Sequence, residues 1–422
     1  MFCGSCMHDN TLARALNRIE GIECLLIPTY TPIRTDEENV SIDRVFLGGI
    51  TVYLEERFAP LRYAPRWLTR WLDQPWLIRW LAKRAVKTDP SVLGSLTVSL
   101  LHGREGHQKR DIEELAQWLA AHVRPDRIVL SNMLIGGCIP ALKEAVGCPL
   151  WVTLQGDDIF LDELHEPYRS EAIQQIRRLV PLCDGFLVNS RYYADYMGPW
   201  FGIEPAKLHQ LPLCIDPAGL PEPSATAGTP APSATIGYLA RLAPEKGLHL
   251  LIDAFLRLKQ NPETSKLQLR IAGWLGPQHK AYFADQMAKI RAHGCEKDVC
   301  YVGEVDRHGK AEFLKRTDIL CVPTVYPDPK GLFVLEAWVA GIPVVQPEHG
   351  AFPELVAATG GGMLVPPHDA DALSQALGKV LRELDHWRQK ARAASDYVRR
   401  EWNCNAVARR LVELLAPPQT SS

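Results

Sequence analysis

From about residue 111 onward, short apolar runs alternate with amphipathic helical stretches: RIVLSN, CIPALKEAV, PLWVTLQG, a helix over about 168–179, GFLVNS, and a helix from Arg191. This alternation leaves few folds open. A buried strand followed by a helix and a further buried strand returns to the same sheet by a crossover, so the pattern predicts a parallel sheet covered by helices. The pattern restarts after residue 235 with TIGYLA, RLAPEKGLHLLIDAFLRL, LQLRIAGW and VCYVGEV. Between the two series, 217–234 is rich in Pro, Ala, Ser, Thr and Gly and nearly aperiodic, which reads as a linker. At 422 residues the chain is also longer than one core usually supports. The expected organisation is α/β, with a first domain over 1–216, the linker, a second domain over 235–400, and a C-terminal helix and tail over 401–422.

Within the second series, Asp318 to Glu354 carries the densest information. It reads as a strand over 319–322, a Pro-bounded loop with Asp328 and Lys330, a glycine at Gly331, an apolar helix over about 332–340 that stops at Gly341, and a second strand over 343–346. A loop that ends in glycine and opens a helix leaves backbone amides unpaired, with the positive end of the helix dipole behind them. Such a place suits a phosphate or a sugar hydroxyl. Asp328 and Glu336 are placed to border one crevice. Glu336 stands among Phe333, Val334, Leu335, Ala337 and Trp338, where a carboxylate needs partners that the vicinal hydroxyls of a ribose would supply. The plainer reading makes Glu336 a bond to a neighbouring loop and Asp328 a turn residue.

This segment resembles the E-x7-E segment of the retaining GT-B glycosyltransferases of family 4, the group related to sucrose and glycogen synthases. The resemblance runs through Pro323, Thr324, Asp328, Gly331, Leu335, Glu336, Ala337, Ala340, Gly341, Pro343, Val344 and Val345, and continues into a G-x-x-P-E loop at Gly350, Pro353 and Glu354. One departure matters: the first glutamate of the family pattern is Asp328 here, which reaches about one methylene less far. Arg241 and Lys246 match the family's R-x4-K, after the first strand of the second domain and at a turn that opens a helix. The resemblance implies that these two cations receive a leaving diphosphate. The loop Gly303 to Val305 resembles the part of the family that meets the base.

In the first domain the resemblance is looser. Gly4 and Ser5 take the place of the family's first glycine loop, ahead of an amphipathic helix TLARALNRI and an expected strand over 22–27. A doubly wound domain has a strand before that loop, so the expectation is that the native start lies upstream or that the innermost strand has been lost. Gln155-Gly156-Asp157-Asp158 resembles the family's H-G-x-D, with Gln155 where the histidine borders the donor sugar. An amide donates a hydrogen bond but does not titrate, which argues against proton handling there. Asp158 keeps the family's acid, or caps the next turn. Asn189 and Ser190 read as a cap for the helix at Arg191, and Asp369 and Asp371 as acids at a helix start rather than a metal site. Gly48 and Gly49 fit either an acceptor-side loop or a glycine-bent strand, and Cys3-x2-Cys6 a loop of small residues more readily than a zinc or redox site.

Composition narrows the class. Hydrophobic residues make up 46% and charged ones 23%, and the formal net charge is −2, which gives no sign of a nucleic-acid partner. The eleven cysteines lack framework spacing, which points to reduced thiols and a cytoplasmic location. No apolar run approaches the about 18 residues of a membrane span. Residues 62–87 are the exception to an even surface: Trp67, Trp71, Trp76 and Trp80 stand among seven basic residues and one acid, Asp73, with Pro75 dividing the stretch. Such a stretch suits peripheral contact with the inner membrane face or an anionic lipid-linked acceptor, or else a helical hairpin whose Arg stems cover the rim of its own domain.

What the resemblance implies is two Rossmann-like doubly wound domains facing across a cleft, with the donor gripped by the second. The reaction would be retaining transfer of a hexose from a nucleoside diphosphate sugar to a glycan or lipid-linked acceptor, with no cofactor and no metal, in a polysaccharide pathway. Arg241 and Lys246 would stabilise the diphosphate, Glu336 would hold the ribose, and Asp328, Gly331 and Leu332 the sugar and phosphate. The mechanism implied is front-face, with the leaving phosphate helping to deprotonate the acceptor, and this suits a site with Gln155 in place of histidine. The alternatives are a nucleotide-sugar epimerase of the same fold and a catalytically idle protein that binds nucleotide sugar as a sensor or scaffold.

Overall fold

The computed structural model describes residues 4–30, 32–47, 90–223 and 234–416. The stretch 62–87, Gly48 and Gly49, Cys3, and most of the linker lie outside these residues. By contact, residues 5–212 and 408–416 make one compact unit and 213–407 another.

The N-terminal unit is built on four parallel strands in the order β1-β2-β3-β4: β1 (Ile128–Leu130), β2 (Leu150–Leu154), β3 (Gly185–Val188) and β4 (Leu208–Gln210). Every residue of β2 and β3 is buried, as a sheet covered on both faces requires. Register follows directly from the apolar runs, with Val152 beside Phe186 and Leu130 beside Val152. The core gathers Met133, Ile139, Leu150, Phe186, Met197 and Phe201.

Two expectations are corrected here. The run 22–27 forms no strand among the described residues; it is reduced to a bridge between Leu26 and Ser41, because an apolar run becomes a ladder only where a second backbone lies alongside it. The first helix, α1 (Gly4–Leu16), starts earlier than its apolar periodicity suggests. Gly4 and Ser5 form its first turn rather than a glycine loop, because the register that buries His8, Asn10, Thr11, Ala13 and Ala15 extends back through them.

The C-terminal unit has six parallel strands in the order β10-β9-β8-β5-β6-β7. They are β5 (Thr235–Leu239), β6 (Gln268–Ala272), β7 (Val299–Gly303), β8 (Ile319–Cys321), β9 (Val344–Pro347) and β10 (Gly362–Val365). The chain winds outward from β5 to β7, then returns to the other side of β5 with β8. The strand order therefore reverses between β5 and β8, and a doubly wound sheet opens its ligand crevice outside the carboxyl ends of the strands at such a reversal. Among the helices that follow these strands are α2 (Leu248–Lys259) after β5, α3 (Arg307–Lys315) after β7, and α4 (Leu332–Val339) after β8. All but the first residue of α4 is buried, and it packs with Phe255, Ile319, Val344 and Trp387 in one core.

Candidate functional site

β5 ends at Leu239 and the chain turns through Arg241 and a short 3-10 turn, Pro244–Lys246, before Gly247 opens α2. The turn is held from three sides. The buried Tyr238 hydroxyl lies 3.2 Å from the Arg241 carbonyl and 3.3 Å from the Lys246 carbonyl, and it donates into this pair of acceptors. The Val325 amide donates to the Glu245 carbonyl at 2.8 Å. Gly247 has φ +72°, and a Cβ there would overlap the Pro323 carbonyl. The loop after β5 and the loop after β8 thus meet at a position that only glycine fits.

Across that meeting, Lys246 Nζ stands 2.8 Å from Asp328 Oδ2 and 2.5 Å from the Tyr326 hydroxyl. The Lys246 and Asp328 side chains are 13% and 7% exposed. Asp328 also takes the Tyr326 hydroxyl on Oδ2 at 3.1 Å, and the amides of Lys330 and Gly331 on Oδ1 at 3.0 and 3.1 Å. Burial pushes this carboxyl up, but the Lys246 ammonium and the two amides outweigh burial and hold it down to about 2. Burial and the neighbouring Asp328 charge raise the Tyr326 hydroxyl well above its ordinary range, so it stays a neutral donor.

The structure refines the sequence expectation in three respects. Lys246 is a fixed cation, whereas Arg241 is about two-fifths exposed and pairs with Glu245 at 3.1 Å; an exposed pair of this kind contributes only about 0–1 kcal/mol and is readily exchanged for a better anion. Gly331, at φ +73°, opens α4 as expected, but its amide points back to Asp328. Asp328 accepts four hydrogen bonds from its own chain, so it shapes the loop and aims Lys246 in this conformation. Leu332 begins α4 beside them.

Glu336 is reached from outside this cluster. Lys310, on α3, places its ammonium 2.7 Å from Glu336 Oε1, with both side chains under a tenth exposed. Gly303 closes β7 at φ +87°, and Val305 lines an open depression of about 390 Å³ with Glu304, Asp306 and Gly309, just ahead of Lys310. Arg241, Lys246, Asp328, Gly331, Leu332 and Glu336 therefore gather at the strand-order reversal, with Gly303 and Val305 at the edge beyond β7. Sequence reading missed Tyr326 and Lys310.

In the N-terminal unit Gln155 directly follows β2 and is 6% exposed. Its amide nitrogen lies 3.2 Å from both carboxylate oxygens of Asp9 on α1 and 2.9 Å from the Ser131 carbonyl. Asp9 was missed too. Asp157 accepts the amides of Met133 and Gln155, and burial raises its carboxyl to about 6. Asp158 accepts the Tyr193 hydroxyl at 2.6 Å, and that hydroxyl accepts the Gly156 amide at 2.9 Å. Gly4 and Ser5 open α1, the helix that carries Asp9. Ser190 caps the helix at Arg191, and Asp369 caps the helix at Ala370 through the amides of Asp371 and Ala372. Among the described residues no group of three His, Cys, Asp or Glu side chains could hold a metal ion, and no helix is long and apolar enough to cross a membrane.

Two parallel helix-covered sheets, with a fixed cation and a helix start meeting at the reversal of the second, belong to the GT-B class. Anabaena Alr3699/HepE in complex with UDP is similar in fold, with a TM-score of 0.63 and 17% identity over 93% of this chain and 98% of that one. Residues 224–399 match the family model described as glycosyl transferases group 1, and residues 94–218 the model described as glycosyltransferase family 4. Through these two domains the chain belongs to the family 4 type of glycosyltransferases. A phosphatidyl-myo-inositol mannosyltransferase of Mycobacterium leprae is 29% identical over 42% of this chain and 45% of its own length. A putative colanic acid biosynthesis glycosyltransferase, WcaL of Escherichia coli, is 32% identical over 42% of this chain and 43% of its own. The chain thus spans less than half the length of these two curated relatives.

Proposed function

We propose that this protein transfers a hexosyl group, with retention, from a nucleoside diphosphate sugar to a glycan or lipid-linked acceptor, without a metal. One observation carries the reading: Lys246 of the R-x4-K segment and Asp328 of the E-x7-E segment, far apart in sequence, meet at 2.8 Å at the strand-order reversal. In the reaction the bond from the sugar C1 to the diphosphate oxygen breaks and a bond to the acceptor oxygen forms on the same face. The acceptor proton passes to the departing phosphate oxygen. Lys246 meets the charge that develops there, and Arg241 joins it on leaving Glu245. The start of α4 from Leu332 adds its dipole, and Glu336 accepts from the ribose.

Gln155 is held by Asp9 and Ser131 and serves as a hydrogen-bond donor, with no titration. The four hydrogen bonds already on Asp328 favour one rival, a protein that binds donor without turning it over. Diphosphate release from UDP-, GDP- and ADP-sugars separates the readings. Transfer predicts release with one of them, and a Lys246→Ala variant slower by about 10–1,000-fold. Binding without release supports the idle rival, interconversion of UDP-GlcNAc supports an epimerase, and undiminished turnover in Lys246→Ala removes the assigned role.

A further inference from the structure

Lys310 has no part in the chemistry proposed for this site, yet among the described residues it is the one buried lysine. Its ammonium stands 2.7 Å from Glu336 Oε1, and the two side chains are 7% and 8% exposed. The ammonium sits on Oε1, so a further donor would meet this carboxylate at Oε2. Desolvation offsets most of the attraction in a buried ion pair, so such a pair is poor evidence of stabilisation and needs another reason to be there. Its position supplies one. Lys310 lies on α3, which follows the depression lined by Glu304, Val305, Asp306 and Gly309, and Glu336 lies on α4, whose start adjoins Asp328 and Lys246. The pair ties the element beyond β7 to the element beyond β8.

We infer that Lys310 is a positioning residue for the nucleoside half of the donor: it holds the Glu336 carboxylate turned so that Oε2 accepts from the ribose while Oε1 stays on the ammonium. This rests on the donor reading under Proposed function. It separates two grips within one site, with the diphosphate carried by Lys246 and Arg241 and the nucleoside by Glu336 under the control of Lys310. Loss of Lys310 should therefore weaken a nucleoside diphosphate and leave pyrophosphate alone.

Calorimetry of the full chain with UDP, GDP, ADP and inorganic pyrophosphate tests this. For whichever nucleotide the parent binds most tightly, Lys310→Met is expected to weaken binding by about 10–100-fold, the loss of one charged hydrogen bond. Pyrophosphate affinity should stay within about twofold, and Lys310→Arg should restore most of the nucleotide affinity. Because a lone buried carboxylate can unfold the domain, the double variant Lys310→Met/Glu336→Gln, which buries no charge, is compared with Glu336→Gln alone. Equal nucleotide affinities are expected, since Lys310 acts only through Glu336. Unchanged nucleotide binding in Lys310→Met, equal losses of nucleotide and pyrophosphate, or a further loss in the double variant overturns the inference while leaving the donor reading in place. A parent that binds none of the three nucleotides overturns both.

Discussion

Asp328 is short by one methylene against the glutamate that the family pattern leads one to expect, and its surroundings show what the shortening does. Its two oxygens are filled by Lys246, Tyr326, Lys330 and Gly331, so the carboxylate is drawn back onto its own loop. Its folded pKa, about 2, lies below the ordinary carboxylate value. The unfolded chain therefore binds more protons between these values, and the stabilisation is complete above about pH 5 and lost as pH falls through 4 towards 2. A downward shift of this size is worth roughly 2 kcal/mol. The expected outcome is that the stability difference between the parent and Asp328→Asn, followed by denaturant unfolding, shrinks by that order between pH 5 and pH 2. A difference that is flat over this range would show that Asp328 carries no such ion pair.

The loops after β5 and β8 act as one element, joined by the Val325 amide on Glu245, by Lys246 on Asp328, and by the bare Cα of Gly247 against Pro323. Gly247→Ala would have to hold φ +72° with its methyl in the Pro323 carbonyl, so we expect a loss of about 1–3 kcal/mol and parting of the two loops. Thermal unfolding and donor turnover should fall together; a variant that keeps both would mean that the loops need not touch. The strands that frame this element were legible because buried parallel strands read as unbroken apolar runs, and Gly331 and Gly341 punctuate α4 where a sequence rule places them. The run 22–27 was misread because apolar sequence does not reveal whether a neighbouring backbone is present. Lys310 and Asp9 carried no signal at all: a lysine inside the short helix α3 and an aspartate inside α1 look like solvated surface until a carboxylate or an amide arrives from 26 or 146 positions away.

On the scale of the whole molecule, each unit gathers its own set of residues. The second sheet reverses its strand order between β5 and β8 and collects there the cations, the helix start and the Lys310–Glu336 pair. The first offers Gln155, held by Asp9. The central claim is that the second unit grips a nucleoside diphosphate at that reversal. Crystals of the full chain soaked with UDP and with GDP test it directly. The account predicts that one of them is bound with a diphosphate oxygen within about 2.7–3.2 Å of Lys246 Nζ, beside the start of α4, and with its ribose at Glu336. Nucleotide ordered at any other place on the protein, or excluded from this site at saturating concentration, would contradict it.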